Sequence, residues 1–274
     1  MSNKIVLITG ASSGIGQAIA RYLSSKNYTV YGTSRKAPFP PMQKTNDSFF
    51  LIQMDVNDTT SVTKAITYIL EKEKRIDVVI NNAGWGISGA IEETTIEKTK
   101  QLFETNYFGT QRVIQTVLPT MRSQKQGTII NISSIGGVLG LPFQGLYSAT
   151  KFAVEGMTEA LRMELNPFNI HVALVEPGDF KTGFTKHRES ATNQHKNSAY
   201  QHHCKQTTAV FEDDEQKGSS PEIIAPLIEK IITSSKPKLR YRVGSFSQKL
   251  AAKMKGVFPD RFVQWILMKY YQLI

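Results

Sequence analysis

A glycine-rich turn close to the start of the chain constrains the fold more than any other feature of this sequence. Residues Lys4–Thr9 form a short apolar, β-branched run typical of a buried strand. The run leads directly into Gly10–Gly16, and Gln17–Leu23 has the pattern of a helix. Glycines let backbone N–H groups approach a pyrophosphate, and the helix dipole favours its charge. The spacing is G-x-x-x-G-x-G rather than G-x-G-x-x-G, and a turn that binds nothing is the alternative.

Strand-like and helix-like segments alternate along the rest of the chain. This alternation predicts an α/β fold, a single Rossmann-type doubly wound parallel sheet of about seven strands with helices on both faces. Further strands are expected at Tyr28–Ser34, Phe49–Asp55, Ile76–Asn81, Thr128–Ser133, His171–Glu176 and Leu239–Val243. Helices are expected at Thr59–Lys74, Glu97–Arg122, Ala149–Asn166 and Pro221–Thr233.

The length of 274 residues is within the range of one α/β domain, so residues 1–274 are expected to form one. Residues 181–220 are polar and irregular, and we expect a substrate lid there because functional loops of this length are common. Residues 245–274 are expected to form a basic, amphipathic C-terminal extension.

Tyr147 and Lys151 lie four residues apart at the start of a predicted helix. Positions i and i+4 share one helix face, so the Lys151 ammonium is expected near the Tyr147 hydroxyl. A nearby cation favours the ionised phenol, which predicts a Tyr147 pKa lowered from about 10 toward working pH. Such a phenol can exchange a proton with a carbonyl or alcohol oxygen.

Several motifs, in this order, resemble those of the short-chain dehydrogenase/reductase family over about residues 4–182. Thr9–Gly16 matches the family's cofactor turn and Asn81–Gly84 its strand-end motif. Pro177-Gly178 followed by Thr182 matches the segment that contacts nicotinamide. The catalytic tetrad of the family is matched by Asn106, Ser134, Tyr147 and Lys151. Leu141–Phe143 through Asn166–Phe168 is similar to the 17β-hydroxysteroid and retinol dehydrogenase branch.

The resemblance implies a division of labour among the tetrad. Tyr147 would donate a proton to a carbonyl oxygen while a nicotinamide supplies hydride, and Ser134 would hydrogen-bond the same oxygen. Lys151 would bind ribose hydroxyls, and Asn106 would hold a water that links Lys151 to solvent. Two alternatives remain: Asn106 satisfies backbone groups in a helix kink, and Ser133 competes with Ser134. Alternate strand residues point to opposite faces, and the family's spacing to the tyrosine selects Ser134.

The end of the second strand bears on the choice of nicotinamide cofactor. Ser34, Arg35 and Lys36 offer a hydroxyl and two cations with no carboxylate, which favours NADP over NAD because an arginine fork suits a 2′-phosphate. Ordinary surface cations are the alternative. Asp55 resembles the family's adenine-contact carboxylate. The predicted cofactor-binding residues are Gly10, Ser12, Ser13, Gly14, Ile15, Gly16, Ser34, Arg35, Asp55, Val56, Asn82, Ala83, Gly84, Tyr147, Lys151, Pro177, Gly178 and Thr182.

The substrate pocket is expected to have an apolar wall, which suits a lipophilic carbonyl or alcohol such as a steroid, a retinoid or a fatty carbonyl. These side chains are equally suited to the core. An acyl-carrier-linked 3-oxoacyl thioester ketoreductase and a non-catalytic NADP-binding sensor are the alternative functions. The resemblance implies a homodimer or homotetramer through the two long helices. The expected wall consists of Trp85, Ile87, Leu139, Leu141, Phe143, Phe180 and Phe184.

Composition limits the cellular setting and the partners. Cys204 is the only cysteine, which excludes an intrachain disulfide and suits a reducing cytoplasm. Met1–Lys4 leads straight into the first strand without a signal peptide, and no apolar run reaches the length of a spanning helix. No metal site is expected, because the histidines beside Cys204 lack ligand spacing. These histidines are His187, His195, His202 and His203.

The net charge of +10 is concentrated at the C-terminal end of the chain. Residues 217–274 hold eleven of the 33 Lys and Arg residues but three of the 23 Asp and Glu residues, which is not the pattern of a nucleic-acid-binding domain. Pro259–Leu273 is expected to form an amphipathic helix with Phe262, Trp265, Ile266 and Tyr270 on one face. That face either packs on the catalytic body or a partner subunit, or contacts a membrane peripherally.

Overall fold

A seven-stranded parallel sheet forms the centre of the protein, which confirms the predicted fold class. The computed structural model describes residues 3–41, 49–183, 188–191 and 198–274. The sheet has the order β3-β2-β1-β4-β6-β7-β9, and all its neighbouring pairs are parallel. Its strands are β1 (Ile5–Ile8), β2 (Thr29–Ser34), β3 (Phe50–Gln53), β4 (Val78–Asn81), β6 (Gly127–Ile132), β7 (Ile170–Pro177) and β9 (Arg240–Val243). The short strands β5 (Ile87–Ser88) and β8 (Glu189–Ser190) pair separately.

Helices cover both faces of this sheet. They are α1 (Gly14–Ser25), α2 (Thr59–Glu73), α3 (Ile96–Phe103), α4 (Gly109–Gln124), α5 (Gly145–Glu164), α6 (Gln201–Gln216), α7 (Ile224–Thr233), α8 (Phe246–Met254) and α9 (Asp260–Tyr270). Alternate strand side chains point to opposite faces and divide the core into two layers. Leu7 packs in the layer under α2, α4 and α5, whereas Val6 and Ile8 pack in the layer under α1 and α7.

The chain order turns back between β1 and β4. From β1 the sheet continues through β2 to β3, and from β4 it continues through β6 and β7 to β9. In parallel α/β sheets, ligands bind beyond the carboxyl ends of the strands at such a switch point. The topology therefore places the candidate site at the ends of β1 and β4.

The helix predicted at Glu97–Arg122 is not continuous. A π-helical turn, Glu104–Phe108, separates α3 from α4 and contains Asn106. The Asn106 side chain satisfies backbone groups beside this turn, with an Nδ2 to Trp85 O distance of 3.0 Å and a Trp85 N to Oδ1 distance of 3.0 Å. Wide turns of this kind often occur at functional sites.

The predicted irregular character of residues 181–220 is wrong for residues 201–216, which form α6. Its buried residues Cys204, Thr207, Phe211 and Glu215 recur every three or four positions and face the rest of the molecule. Residues 184–187 and 192–197 lie outside the described residues, so the predicted lid is described only in part.

The C-terminal extension forms α8 and α9, and the second of these confirms the helix predicted from Pro259 onward. Its packed stripe differs from the predicted one. Val263 is buried, Leu267 packs beside it, and both belong to a cluster with Ile135 and Leu139 of the catalytic body. Phe262, Trp265 and Tyr270 are exposed instead, and Ile266 is half-buried. The extension therefore packs on the body through one face while a second apolar face remains at the surface.

Candidate active site

The glycine-rich turn brings backbone very close to the end of β4. Gly10 and Gly14 have φ angles of +66° and +56°, which side-chain-bearing residues rarely adopt. A Cβ on Gly10 would lie 3.0 Å from the Cα of Ala83, and one on Gly16 would lie 2.5 Å from the carbonyl oxygen of Gly10. The turn is therefore a cradle of bare backbone at the start of α1, where anions bind well.

Thr9 fixes this turn to the strand-end motif. Its Oγ1 accepts hydrogen bonds from the backbone N–H groups of Asn82 and Ala83, each at 2.9 Å. Asn82 Nδ2 in turn donates to the carbonyl oxygens of Thr9 at 2.9 Å and Gly10 at 3.0 Å. These four bonds preserve the shape of the cradle without a bound ligand.

One cavity of about 1220 Å³ extends from the cradle across the ends of the strands. Thr182 lies opposite the turn, with its Cβ 3.5 Å from where a Cβ on Gly14 would be. Gly16 and Asn106 lie behind the lining and support it. The predicted residues in the lining are Gly10, Ser12, Ser13, Gly14, Ile15, Ser34, Arg35, Asp55, Val56, Asn82, Ala83, Gly84, Ser134, Tyr147, Lys151, Pro177, Gly178 and Thr182.

The end of β2 carries an electropositive corner of this cavity. Arg35 and Lys36 are exposed, and neither forms an ion pair with another described residue. Ser34 accepts a hydrogen bond from the Lys36 backbone N–H at 3.4 Å. The corner therefore offers two cations and a hydroxyl to an anionic group.

Tyr147 and Ser134 meet inside the cavity. The Ser134 side chain lies beside the Tyr147 hydroxyl, and Tyr147 is buried. Desolvation by burial raises the pKa of Tyr147 to about 12, although the Ser134 hydroxyl and the Arg188 charge lower it. The prediction of a lowered Tyr147 pKa is therefore wrong, because burial outweighs the influences that favour ionisation. A phenol with this pKa holds its proton at neutral pH.

Lys151 lies one helical turn away, with its Nζ 5.8 Å from the centre of the Tyr147 ring. The Nζ donates a hydrogen bond to the Ile132 carbonyl oxygen at 3.0 Å. Burial lowers the pKa of Lys151 to about 8, and the Glu155 charge partly opposes this shift. The titration of this amine therefore falls near the physiological range.

Ser133 and Asn106 have other contacts. The Ser133 side chain is buried and lies near Glu155, whose pKa it lowers. Asn106 Nδ2 also donates to Thr150 Oγ1 at 3.1 Å, in addition to its bonds with the Trp85 backbone. These contacts agree with the structural alternative for Asn106, and its water-holding role stays a prediction.

The far end of the cavity is charged. Asp179 follows the Pro177-Gly178 motif, while Asp214 and Glu215 come from α6 and Arg188 forms an ion pair with Glu215. Burial and the charges of Glu215 and Asp214 raise the pKa of Asp179 to about 7. Charges on Asp179, Glu215 and Arg188 also shift the pKa of Tyr147, so they lie near its hydroxyl.

The apolar wall is partly the predicted one. Ile87 packs against Tyr147 behind the lining, Phe143 contacts the Tyr200 ring, and Phe184 lies outside the described residues. The predicted residues Trp85, Leu139, Leu141 and Phe180 line the cavity, and the unpredicted residues Phe211, Leu250, Ala251, Met254, Ile266 and Leu267 join them.

Comparison with known proteins identifies the family. The family model for short chain dehydrogenases matches residues 4–193, which is more than half of the chain. The chain is a short-chain dehydrogenase/reductase. As a member of this family it is an oxidoreductase, and the family uses NAD or NADP.

Relatives place this short-chain dehydrogenase/reductase near the predicted branch. It is 44% identical to a 3-ketodihydrosphingosine reductase of Bacteroides thetaiotaomicron, over 100% of both chains. It is 33% identical to human 17-beta-hydroxysteroid dehydrogenase type 1, over 88% of this chain and 77% of that protein. A solved short-chain dehydrogenase from Streptomyces avermitilis superposes with a TM-score of 0.82 at 32% identity, covering 99% of this chain and 98% of the other.

Sequence reasoning missed the charged end and the helical wall of this short-chain dehydrogenase/reductase. Asp179 is adjacent to a recognised motif, so its position was a usable signal. The only sequence signal for α6 was the helical spacing of its buried residues Cys204, Thr207, Phe211 and Glu215. Because Thr207 is polar and Glu215 is charged, this spacing did not stand out as an apolar helix face. Among the described residues no group of three metal-ligating side chains occurs, and His187 and His195 lie outside them.

Proposed function

We propose that this enzyme is an NADP(H)-dependent oxidoreductase that interconverts a lipophilic carbonyl with a secondary or primary alcohol. The observation that carries the proposal is that Tyr147 and Ser134 lie side by side in a large cavity with an apolar wall. A single cavity of about 1220 Å³ exceeds the usual range for one small ligand, so it has room for both a cofactor and a substrate. The NADP-binding sensor remains as the function expected if no carbonyl is turned over.

The roles follow from protonation and position. Tyr147, protonated at neutral pH, donates its proton to the substrate oxygen, and Ser134 hydrogen-bonds the same oxygen and stabilises the charge that develops there. The charge of Lys151 favours the ionised phenol that this transfer leaves behind. Asn106 holds Trp85 and Thr150 in place, and we assign to it the link between Lys151 and solvent.

The residues of the cradle fit a dinucleotide. Gly10 and Gly16 leave no space for a side chain, so backbone N–H groups are free to meet a pyrophosphate at the start of α1. When bound, nicotinamide supplies or accepts the hydride. We assign the 2′-phosphate to Ser34, Arg35 and Lys36, because two exposed cations without a described acidic partner favour a charged group over a ribose hydroxyl.

The charged end of the cavity narrows the proposed substrate class. The three carboxylates of Asp179, Asp214 and Glu215 outnumber the one cation Arg188, which is paired with Glu215, and burial makes the Asp179 charge costly. A protonated amine near the carbonyl would offset that cost. The Bacteroides relative is a 3-ketodihydrosphingosine reductase, and this ketone is a long-chain amine. We therefore propose a long-chain amino ketone, ahead of a steroid, a retinoid or an uncharged fatty carbonyl.

A panel of carbonyls tests the proposal. NADPH and NADH oxidation would be followed with a long-chain amino ketone, its N-acetyl derivative, a steroid ketone, a retinal and a 3-oxoacyl thioester. We expect NADPH-dependent turnover that is fastest with the free amine. Acetylation removes the positive charge and keeps the chain, so equal rates for both would exclude charge recognition. Preference for the thioester would instead support a ketoreductase that acts on acyl thioesters.

We also propose a single-domain, cytoplasmic enzyme that forms a homodimer or homotetramer and contacts membranes peripherally through residues 245–274. The exposed residues Phe108, Phe152 and Met163 on and beside α4 and α5 support pairing through these helices. Among the described residues, no helix combines the length and apolarity needed to cross a bilayer. Light scattering at several protein concentrations would measure the assembly, and a monomer at every concentration would reject it.

A further inference from the structure

Helices α8 and α9 have an inner apolar face that forms part of the substrate cavity. Ala252 and Val263 are buried in a cluster with Ile135 and Leu139 of the body. Leu250, Ala251, Met254, Ile266 and Leu267 from the same two helices line the cavity. The inner face therefore explains about half of the apolar residues in this segment.

The outer face has no comparable contacts. Phe258, Phe262 and Trp265 form a continuous row of rings, with centroid distances of 5.4 Å and 6.2 Å between neighbours. Their side chains are 46%, 42% and 44% exposed. Val257, which precedes Phe258 in the chain, is 76% exposed. Large apolar side chains are normally exposed singly, so a contiguous row indicates an interaction surface.

Cations accompany this outer row in the same segment of the chain. Lys269 Nζ lies 4.4 Å from the centre of the Trp265 ring, which keeps a positive charge beside an apolar side chain. Asp260 is the one acidic residue between 245 and 274. The basic residues of the same segment are Lys249, Lys253, Lys255, Arg261 and Lys269.

This combination decides which partner fits. A second copy of the chain, joined through the same face, would bring five cations from each copy together, and like charges at one interface repel. A purely apolar partner would leave the cations without counter-charges. A bilayer with anionic headgroups is negatively charged at its surface and apolar a few ångströms deeper. It can therefore contact the cations and the aromatic row at the same time.

We propose that the row Phe258–Phe262–Trp265 inserts into the interface of an anionic membrane while the cations of the same segment contact its headgroups. Leu250 is both exposed and part of the cavity lining, so the mouth of the cavity would lie beside the lipid. The contact itself does not depend on the reaction. Only its consequence, that a lipophilic substrate enters from the membrane, rests on the proposed function.

Vesicle co-sedimentation tests the contact without substrate or cofactor. The wild-type protein would be mixed with vesicles of phosphatidylcholine alone or with 30% phosphatidylglycerol. We expect binding to the anionic vesicles that weakens as salt rises from low to physiological strength. Phe262→Ala/Trp265→Ala should weaken binding at least about tenfold per ring, and Lys253→Gln/Arg261→Gln about fivefold per cation.

Matched variants distinguish binding through this face from non-specific adsorption and from an effect of misfolding. Phe168→Ala removes an aromatic ring that is 42% exposed, like Phe262. Phe168 lies at the amino end of β7, whereas the cavity lies at the carboxyl ends of the strands. Lys26→Gln/Lys236→Gln removes two exposed cations near the C-terminal ends of α1 and α7. Both controls should bind vesicles like the wild type. Phe262 and Trp265 do not line the cavity, so their variant should retain turnover of a water-soluble ketone.

Three outcomes would overturn the proposal. In the first, the wild type binds neutral and anionic vesicles equally. In the second, the matched controls lose as much binding as the variants of the outer face. In the third, the wild type binds no vesicles and Phe262→Ala/Trp265→Ala changes it from dimer to monomer. The last result would assign the face to contact between copies. If vesicle binding is as expected but no carbonyl is reduced, the membrane contact stands and the proposed function fails.

Discussion

The buried amine of Lys151 leads to a quantitative prediction for the pH dependence of catalysis. Burial lowers its pKa from 10.5 to about 8, so the charged form disappears as the pH rises through 8 rather than through 10.5. For a pKa of 8, about ten charged amines exist per neutral one at pH 7 and about one per ten at pH 9. If the charge is required, kcat/KM for carbonyl reduction should fall about tenfold over this interval.

The assay is initial-rate NADPH oxidation with a neutral ketone between pH 6 and 10, because kcat/KM reports the pKa values of the free enzyme. A neutral ketone removes the titration of the substrate and its charge interaction with Asp179, whose pKa is about 7. Lys151→Arg is the matched control, since guanidinium stays charged over the whole range. Its overall rate should be lower, and its profile should lack the decline centred near pH 8.

Two results would refute this reasoning. A wild-type profile that stays flat up to pH 10 would mean that the Lys151 charge is not needed in the reaction. The same decline in Lys151→Arg would mean that another group titrates near pH 8. Tyr147 is not that group, because its pKa of about 12 lies far above this interval.

Three substitutions test the other assignments. Tyr147→Phe keeps the ring but removes the proton, so turnover should fall at least about 10²-fold. NADPH binding, measured by fluorescence titration, should be retained. Near-normal turnover would exclude Tyr147 as the proton donor. Arg35→Ala should weaken NADPH binding by about 10- to 100-fold, the equivalent of a charge-assisted hydrogen bond, and leave NADH binding almost unchanged. An equal loss of affinity for both cofactors would mean that Arg35 has a structural role. Asp179→Asn should lower kcat/KM for a protonated amino ketone and not for its N-acetyl derivative, and a parallel loss for both would assign Asp179 to the shape of the cavity.

The central sheet and the cradle were predictable because they depend on local patterns. The run Ile5–Ile8 is apolar at every position, as a strand buried on both faces must be, and the glycines that follow have few uses other than close approach. Regular strands and short connections then restrict the topology to very few arrangements. All predicted site residues except Gly16 and Asn106 line one cavity, because motifs at successive strand ends meet at the same edge of a parallel sheet.

The remaining features depend on contacts that the sequence does not reveal. The pKa of Tyr147 is set by its burial, and this burial depends on elements such as β5 and α3 that are distant along the chain. The helix α6 was missed because its buried side chains include the polar Thr207 and the charged Glu215. Such side chains are buried only where they have partners, and Thr207 Oγ1 donates a hydrogen bond to the Tyr271 carbonyl oxygen at 3.1 Å. The π-helical turn agrees with the helix-kink alternative for Asn106, although Glu97–Arg122 was predicted as one helix because residues 96–124 have helical character throughout.

Gln248 joins the C-terminal helices to the catalytic segment. Its Oε1 accepts from the Asp179 backbone N–H at 3.2 Å, and its Nε2 donates to the Asp179 carboxylate. A bulky substrate that enters under α8 and α9 would loosen this link, and a product would loosen it again on leaving. When enzyme and ketone are premixed and the reaction is started with NADPH, the first turnover no longer includes the entry step. We therefore expect it to be faster than later turnovers, which rapid mixing would show as a burst of product. Gln248→Ala should shrink the burst by speeding release.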